Sequence, residues 1–239
     1  SMGGFMSLWL SARYPDLIGS ASSFNPGPEF YAGDKGSRML WRPKDHVANH
    51  THTMVRLIHA SGDYIGQYHE ETRDAYAPSD VDFEYRRDEY HRHWATSIGE
   101  TFAFHMRAFG NSALDNVPVE WSHDDPYHQF HVWGYDVEAK GPGKAMVSLE
   151  NVSQCSMRVS TRQWSPDGPA AERSIAIRTA PLYTAGKNYV LLDHEIGGTA
   201  TARKDLIADS YGRLSFTVDG AGHQVSFDGP GCGAEPPVL

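Results

Sequence analysis

Three well-separated side chains have the types needed to cleave an acyl bond: Ser1, Asp63 and His123. A serine hydroxyl is a weak nucleophile until a histidine accepts its proton and a carboxylate holds that histidine in place. Ser1-Met2-Gly3-Gly4 reads as the second half of G-x-S-x-G, a nucleophile elbow in which the serine sits on a strained strand-to-helix turn with its hydroxyl exposed. The turn packs its backbone tightly, so the position two after the serine must be small, and Gly3 meets that need. The amide of Met2 then points to where a carbonyl oxygen becomes an oxyanion, a donor worth roughly 3–4 kcal/mol of barrier. The positive N-terminal end of the following helix favours the same charge.

Several elements must position these groups. Residues 5–14 have a helical pattern that stops at Pro15, because a proline restricts the residue before it. Residues 18–24 read as a buried strand of small side chains. Residues 55–59 form an apolar run closed by Ala60-Ser61-Gly62-Asp63, which puts Asp63 at the C-terminal edge of a parallel sheet, where an orienting acid belongs. The competing reading of Asp63 is a plain Asx turn, with Glu70, Glu71 and Asp80 as reserve acids. Residues 66–90 are charge-rich and read as an insertion. Trp94, Ile98, Phe102, His105 and Phe109 fall at helical spacing, with Gly110-Asn111 as a stop. Residues 117–121 read as a short strand, and His123 lies two residues past Trp121 on the loop that follows. A base must come within about 2.6–3.2 Å of the serine oxygen, and this favours His123 over its two rivals. His128 lies beyond Pro126, and His131 sits inside an alternating run.

The pattern changes at about residue 129. Residues 130–137 alternate at period two, and shorter runs follow at 145–149, 157–161, 174–178 and 189–192. Runs at 214–218 and 224–227 are joined by Asp219-Gly220-Ala221-Gly222, a hairpin signal. Short strands at this spacing predict a β-sandwich of about 100 residues, immunoglobulin-like in architecture. The domains are therefore 1–128, then 129–232, then a tail at 233–239. Residues 29–53 read as a loop-rich excursion with a short helix near 45–50. Cys155 and Cys232 are the two cysteines and can pair.

With 21 basic and 30 acidic residues the net charge is −9, and no basic run occurs. Nucleic acid and anionic membranes are thereby poor partners, and no stretch approaches the ~20 apolar residues of a membrane span. The 13 histidines invite a metal reading. His50 and His52 lie in loop-like sequence, and His91 and His93 diverge by about 200° on a helix. His123, His128 and His131, beside Asp124 and Asp125, are better read as solvated or catalytic histidines. The expectation is no metal and no cofactor. Asn49-His50-Thr51 and Asn151-Val152-Ser153 match the N-glycosylation pattern, which is common by chance.

The stretch from Ser1-Met2-Gly3-Gly4-Phe5-Met6 through Ala12-Arg13-Tyr14-Pro15-Asp16-Leu17 to Phe24 closely resembles the elbow region of esterase-type α/β-hydrolases. These are the relatives of S-formylglutathione hydrolase and of acetyl-xylan and feruloyl esterases. The resemblance covers residues 1 to about 128, and the order Ser1, Asp63, His123 is the order of that superfamily. It implies an α/β plus all-β chain: the C-terminal half of a hydrolase sheet followed by the sandwich. It further implies a serine ester hydrolase acting on a small-molecule or polysaccharide-linked ester, with a secreted or periplasmic location favoured. The strand and the G-x expected before Ser1 are missing, so the chain reads as a fragment, poorly active alone. Two other functions fit the pattern: a serine peptidase of the prolyl-oligopeptidase type, and a non-catalytic binding protein whose sandwich carries the function.

Overall fold

The computed structural model describes residues 2–88 and 95–233. They divide into two compact units, one of Ser1–Tyr31 with Leu40–Pro118 and one of Ala32–Met39 with Val119–Leu239.

The first unit is built on three parallel strands in the order β1-β4-β5: β1 (Ser20–Phe24), β4 (Met54–Ala60) and β5 (Phe83–Asp88). Ser20 pairs with Met54, and Val55 with Phe83. Parallel neighbours need a crossover, and helix α2 (Gly66–Tyr76) supplies the one between β4 and β5. Helix α1 (Met2–Arg13) lies against β1, and α3 (Ala95–Phe109) follows β5. As the middle strand, β4 is buried at all seven positions, as a parallel strand covered on both faces should be. Leu8, Val55, Tyr76 and Val81 form an apolar cluster in this unit.

Polar groups are buried beside that cluster. His50 bridges the Ser11 hydroxyl and the Tyr76 hydroxyl, at 2.8 Å each. Arg56, on β4, is buried between the carboxylates of Glu84 and Glu100. These ties explain why residues 66–90 are not an insertion. Strand β5 alternates Phe83 and Tyr85 with Glu84 and Arg86. Glu84 pairs with Arg56 and Arg107, and Arg86 with Glu100. The strand's second face is therefore ion-paired and carries no apolar signal.

In the second unit, a six-stranded sheet has the order β13-β12-β15-β10-β9-β6 and a four-stranded sheet the order β14-β11-β8-β7. The strands are β6 (Trp121–Asp125), β7 (Gln129–Val132), β8 (Tyr135–Lys140), β9 (Met146–Val152), β10 (Ser156–Arg162), β11 (Arg173–Arg178), β12 (Asn188–Glu195), β13 (Thr201–Ile207), β14 (Ser215–Gly220) and β15 (Gly222–Asp228). Inward residues of both sheets, among them Val137, Leu149, Ile177, Leu191, Phe216 and Phe227, make one apolar cluster. Cys155 and Cys232 are disulfide-bonded across a sequence separation of 77. Closing a loop of that length stabilises by about 4 kcal/mol on the chain-entropy account.

The expected fold class, half of an α/β-hydrolase sheet joined to an immunoglobulin-like sandwich, is overturned. The chain is mostly β, and among the described residues the parallel sheet has three strands and the other main sheets are antiparallel. The described residues form three α-helices. Nor do six plus four strands match the roughly seven to nine of an immunoglobulin domain. Two local expectations also change. Residues 130–137 are not one strand but the hairpin β7–β8, turned by Trp133 and Gly134 at φ 49 and 82. Two successive positive φ values are the signature of a type I′ turn. The Asp219–Gly222 link is not a hairpin turn. Strand β14 pairs with β11 in one sheet, and β15 pairs with β10 and β12 in the other. Residues 29–53 contain a two-stranded sheet of β2 (Phe30–Ala32) and β3 (Met39–Trp41), then two 3-10 turns.

Candidate active site

The C-terminal edge of the parallel sheet gathers the chemistry-bearing groups of the first unit. There β1 ends at Phe24 and β4 at Ala60. Asn25, at φ 42, closes this edge. Its amide donates to the Ile58 carbonyl at 2.9 Å, and its side-chain oxygen accepts from the Ala60 amide at 2.8 Å. Left-handed backbone is more readily adopted by Asn than by most residues.

Helix α1 brings its N-terminus to the same edge. A Cβ on Gly4 would lie 2.5 Å from the Phe24 carbonyl oxygen, and the Ser23 hydroxyl donates to the Gly4 carbonyl at 2.7 Å. Further along α1, the Ala12 carbonyl accepts from Asn49, ahead of the start of β4. The helix therefore runs against the strands, with its unsatisfied amides at their C-terminal ends. The demand for a small residue falls on Gly4 and not on Gly3, whose added Cβ would meet nothing within 4 Å. Met2 is the first helical residue and its side chain is exposed. Ser1 lies outside the described residues.

Asp63 follows β4 at this edge. Its amide donates to the Ala60 carbonyl at 3.0 Å, and its carboxylate accepts from the Ile65 amide at 3.2 Å. That is an Asx turn leading into α2, half-exposed, so the plain reading of this residue holds together with its edge position. Of the reserve acids, Glu70 lies 3.8 Å from Arg87, and Glu71 is 2.6 Å from Lys44. Asp80 lies in the α2–β5 connection, at the opposite end of the sheet.

Around Asp63 the structure adds residues that sequence reasoning passed over. His59, next to last in β4, is a buried side chain, its Nδ1 2.7 Å from the Tyr85 hydroxyl. Its ring stands edge-on to His69 of α2 at 4.7 Å, and His69 Nε2 is 2.9 Å from the Pro26 carbonyl. Burial pushes the His59 pKa down, and the neighbouring His69 and Arg87 push it further, against the opposing pull of Glu70 and Asp63. In the sequence His59 looked like the end of an apolar run, and His69 fell in the supposed insertion.

His123 is corrected. It does not occupy a loop. It lies inside β6, opposite Leu149 of β9, on the inward row with Trp121 and Asp125. Its ring is 1% exposed, packs on Phe130 at 5.5 Å, and has Nε2 3.6 Å from Asp125. Both ring nitrogens are buried and lack hydrogen-bond partners among the described residues. The cause is the start of β6. Residues 117–120 form no strand, and pairing with β9 begins at Trp121. His128 Nδ1 lies 3.3 Å from Asp34, and His131 Nδ1 2.8 Å from Asp136. His91 and His93 fall outside the described residues.

The two glycosylation patterns separate. Asn49 is buried and its amide donates to the Ala12 carbonyl at 3.1 Å, while Asn151 is exposed. No protein-family model matches the chain, and no curated protein or solved structure matches it either.

Proposed function

We propose that the chain carries the reacting residues of a serine hydrolase acting on carboxylic esters, with Ser1 as nucleophile and Asp63 as the acid that orients the base. The observation that carries this reading is the shared edge. The N-terminus of α1, to which Ser1 is joined, and the Asp63 turn lie at the same C-terminal end of one parallel sheet. That edge is where parallel sheets place ligands. The esterase resemblance of residues 1–24 supports the same chemistry.

The base is reassigned. A histidine after the last strand of the parallel sheet serves this role best, and that strand is β5, which ends at Asp88. The six positions linking it to α3 include His91 and His93, and we place the base among these two in preference to His123. In the reaction the serine oxygen attacks the ester carbonyl while the histidine takes its proton. The Met2 amide donates to the resulting oxyanion. Collapse expels the alcohol, which takes the proton back, and water then releases the acid by the same steps in reverse roles.

Labelling of the native protein with a fluorophosphonate probe tests this. Ser1→Ala abolishes labelling. His91→Ala or His93→Ala slows it by about 100-fold or more, the usual cost of a lost general base. His123→Ala leaves the labelling rate within about twofold and lowers stability instead. Loss of labelling in His123→Ala alone, with both other histidine variants active, would refute the assignment.

A further inference from the structure

Helix α3 presents its apolar face to solvent. The helical spacing of Ile98, Phe102 and Phe109 marks the side that a helix usually packs on its core. The structure turns that side away from the sheet. Ile98 is 48% exposed, Phe102 68%, Met106 65% and Phe109 85%. At 3.6 residues per turn these four span about 80° of the helix surface and form one stripe along it.

The opposite side of α3 attaches the helix to the sheet. Phe104 is fully buried, with the Arg107 guanidinium 5.3 Å from its ring centre. Glu100 pairs with Arg56 of β4 and Arg86 of β5, each at 2.9 Å, and Arg107 pairs with Glu84 of β5. His105, beside the stripe, has Nδ1 2.8 Å from the Ser20 hydroxyl of β1. The two charged residues of the helix, Glu100 and Arg107, are thereby both engaged within the unit. The outward stripe carries no charge.

Size and charge decide what fits this stripe. Taking roughly 200 Å² for a phenylalanine side chain and slightly less for Ile98 and Met106, the stripe leaves on the order of 500 Å² uncovered. An apolar patch of that size is among the largest found on soluble monomers and marks a contact surface. A two-fold contact sets one patch against its own copy, so a charged patch would repel itself, and this one has no charge to do so. Two copies together bury roughly 1,000 Å², the least area expected of a specific interface. Nucleic acid or an anionic membrane would need basic residues around the stripe, and the net charge of the chain is −9.

We infer that α3 is a self-association surface that takes a second copy of this chain. The two helices lie antiparallel across a two-fold axis between Phe102 and Met106. Phe102 of each copy then meets Met106 of the other, and Ile98 meets Phe109. The inference rests on α3 alone and does not depend on the serine chemistry.

Because so small an interface gives roughly micromolar affinity, sedimentation velocity of the whole chain from about 1 to 200 µM tests this. The average mass rises from that of a monomer to that of a dimer. Phe102→Glu brings a carboxylate from each copy into the apolar centre and weakens pairing by about 100-fold or more. Its circular dichroism spectrum is unchanged, because the replaced side chain is exposed. Should that variant misfold, Phe109→Glu repeats the test at the end of the stripe, with a weakening of about tenfold. The contact is apolar and the chains repel by net charge, so added salt tightens pairing or leaves it unchanged. A monomer at every concentration overturns the inference and points to a different occupant of α3. Pairing that a folded variant leaves unchanged overturns it, as does pairing that salt abolishes, which would place the contact on ionic groups elsewhere. Aggregation without a dimer plateau overturns the two-fold arrangement.

Discussion

Both units bury polar groups, His123 and Asp125 among them in the second, but the two differ in how large an apolar core surrounds those groups. In the parallel unit the central strand encloses Arg56 and His59 along with its aliphatic residues, and beside it His50 joins Ser11 to Tyr76. In the antiparallel unit both sheets contribute to a large apolar cluster running from Trp121 to Phe227. Apolar burial is non-directional and tolerates many arrangements, while buried polar groups must be matched in place. The contrast explains why the proposed reacting residues belong with the first unit. Directional bonds hold Asn25, Asp63 and His59 at one sheet edge. The second unit gains its rigidity from packing and the disulfide, which leaves its outward face free to carry polar side chains.

Three experiments break or sharpen that contrast. The largest effect is expected from Phe227→Ala. Its ring is 2% exposed and lies 5.6 Å from Tyr183 and 5.5 Å from Phe216. Truncation costs about 4 kcal/mol. Hydrogen exchange read peptide by peptide should show lost protection in the second unit and none in β4. Equal loss in β4 would mean the two cores do not differ in the way described.

A smaller effect is expected at α1. Gly4→Ala forces a Cβ toward backbone at 2.5 Å and costs about 2 kcal/mol as the helix shifts off β1. Gly3→Ala meets open space, so it should stabilise by a few tenths of a kcal/mol, up to about 1. Thermal melts of the pair decide the matter, and the reverse ranking would place the close approach at the wrong glycine.

The smallest effect is the pH response. Burial lowers the pKa of His59 below 6.5, and burial with the nearby Arg56 lowers that of His105 likewise. The unfolded chain then binds more protons than the folded one as pH falls through about 6.5 and below, so stability present above that value is lost toward acid. Exchange protection in β4 should decline across this window, and His59→Gln should flatten the decline. A pH-independent β4 would remove the polar-core explanation.

How much was legible depended on whether a signal was local. Strand β1 was visible as a run of small side chains, β4 as an apolar run, and α1 as a pattern stopping at Pro15. Strand β5 was hidden, because Glu84 and Arg86 disguise a strand whose partners, Arg56 and Glu100, lie far along the chain. The break at Trp133 was hidden too, since a large aromatic is an unusual occupant of a positive φ. Of the candidate site, Asp63 was legible at its strand end. His59 and His69 were not, because a histidine beside an apolar run carries no mark of the ring it will face.

The sequence by itself determined the local grammar: where a helix stops, which runs are apolar or small, and which stretches alternate. The disulfide between Cys155 and Cys232 uses residues already conspicuous in the chain, whereas the close approach to Phe24 falls on Gly4 and not on the Gly3 that the motif pointed to. Only the tertiary structure decided which sheet each strand joins. His123 shows the consequence. Its neighbours in sequence fit a loop beside a catalytic edge, yet pairing of β6 with β9 turned the ring into the sandwich core. Strand partners are chosen by which faces can be buried together and which backbone groups remain unpaired, and both depend on segments far away in the chain.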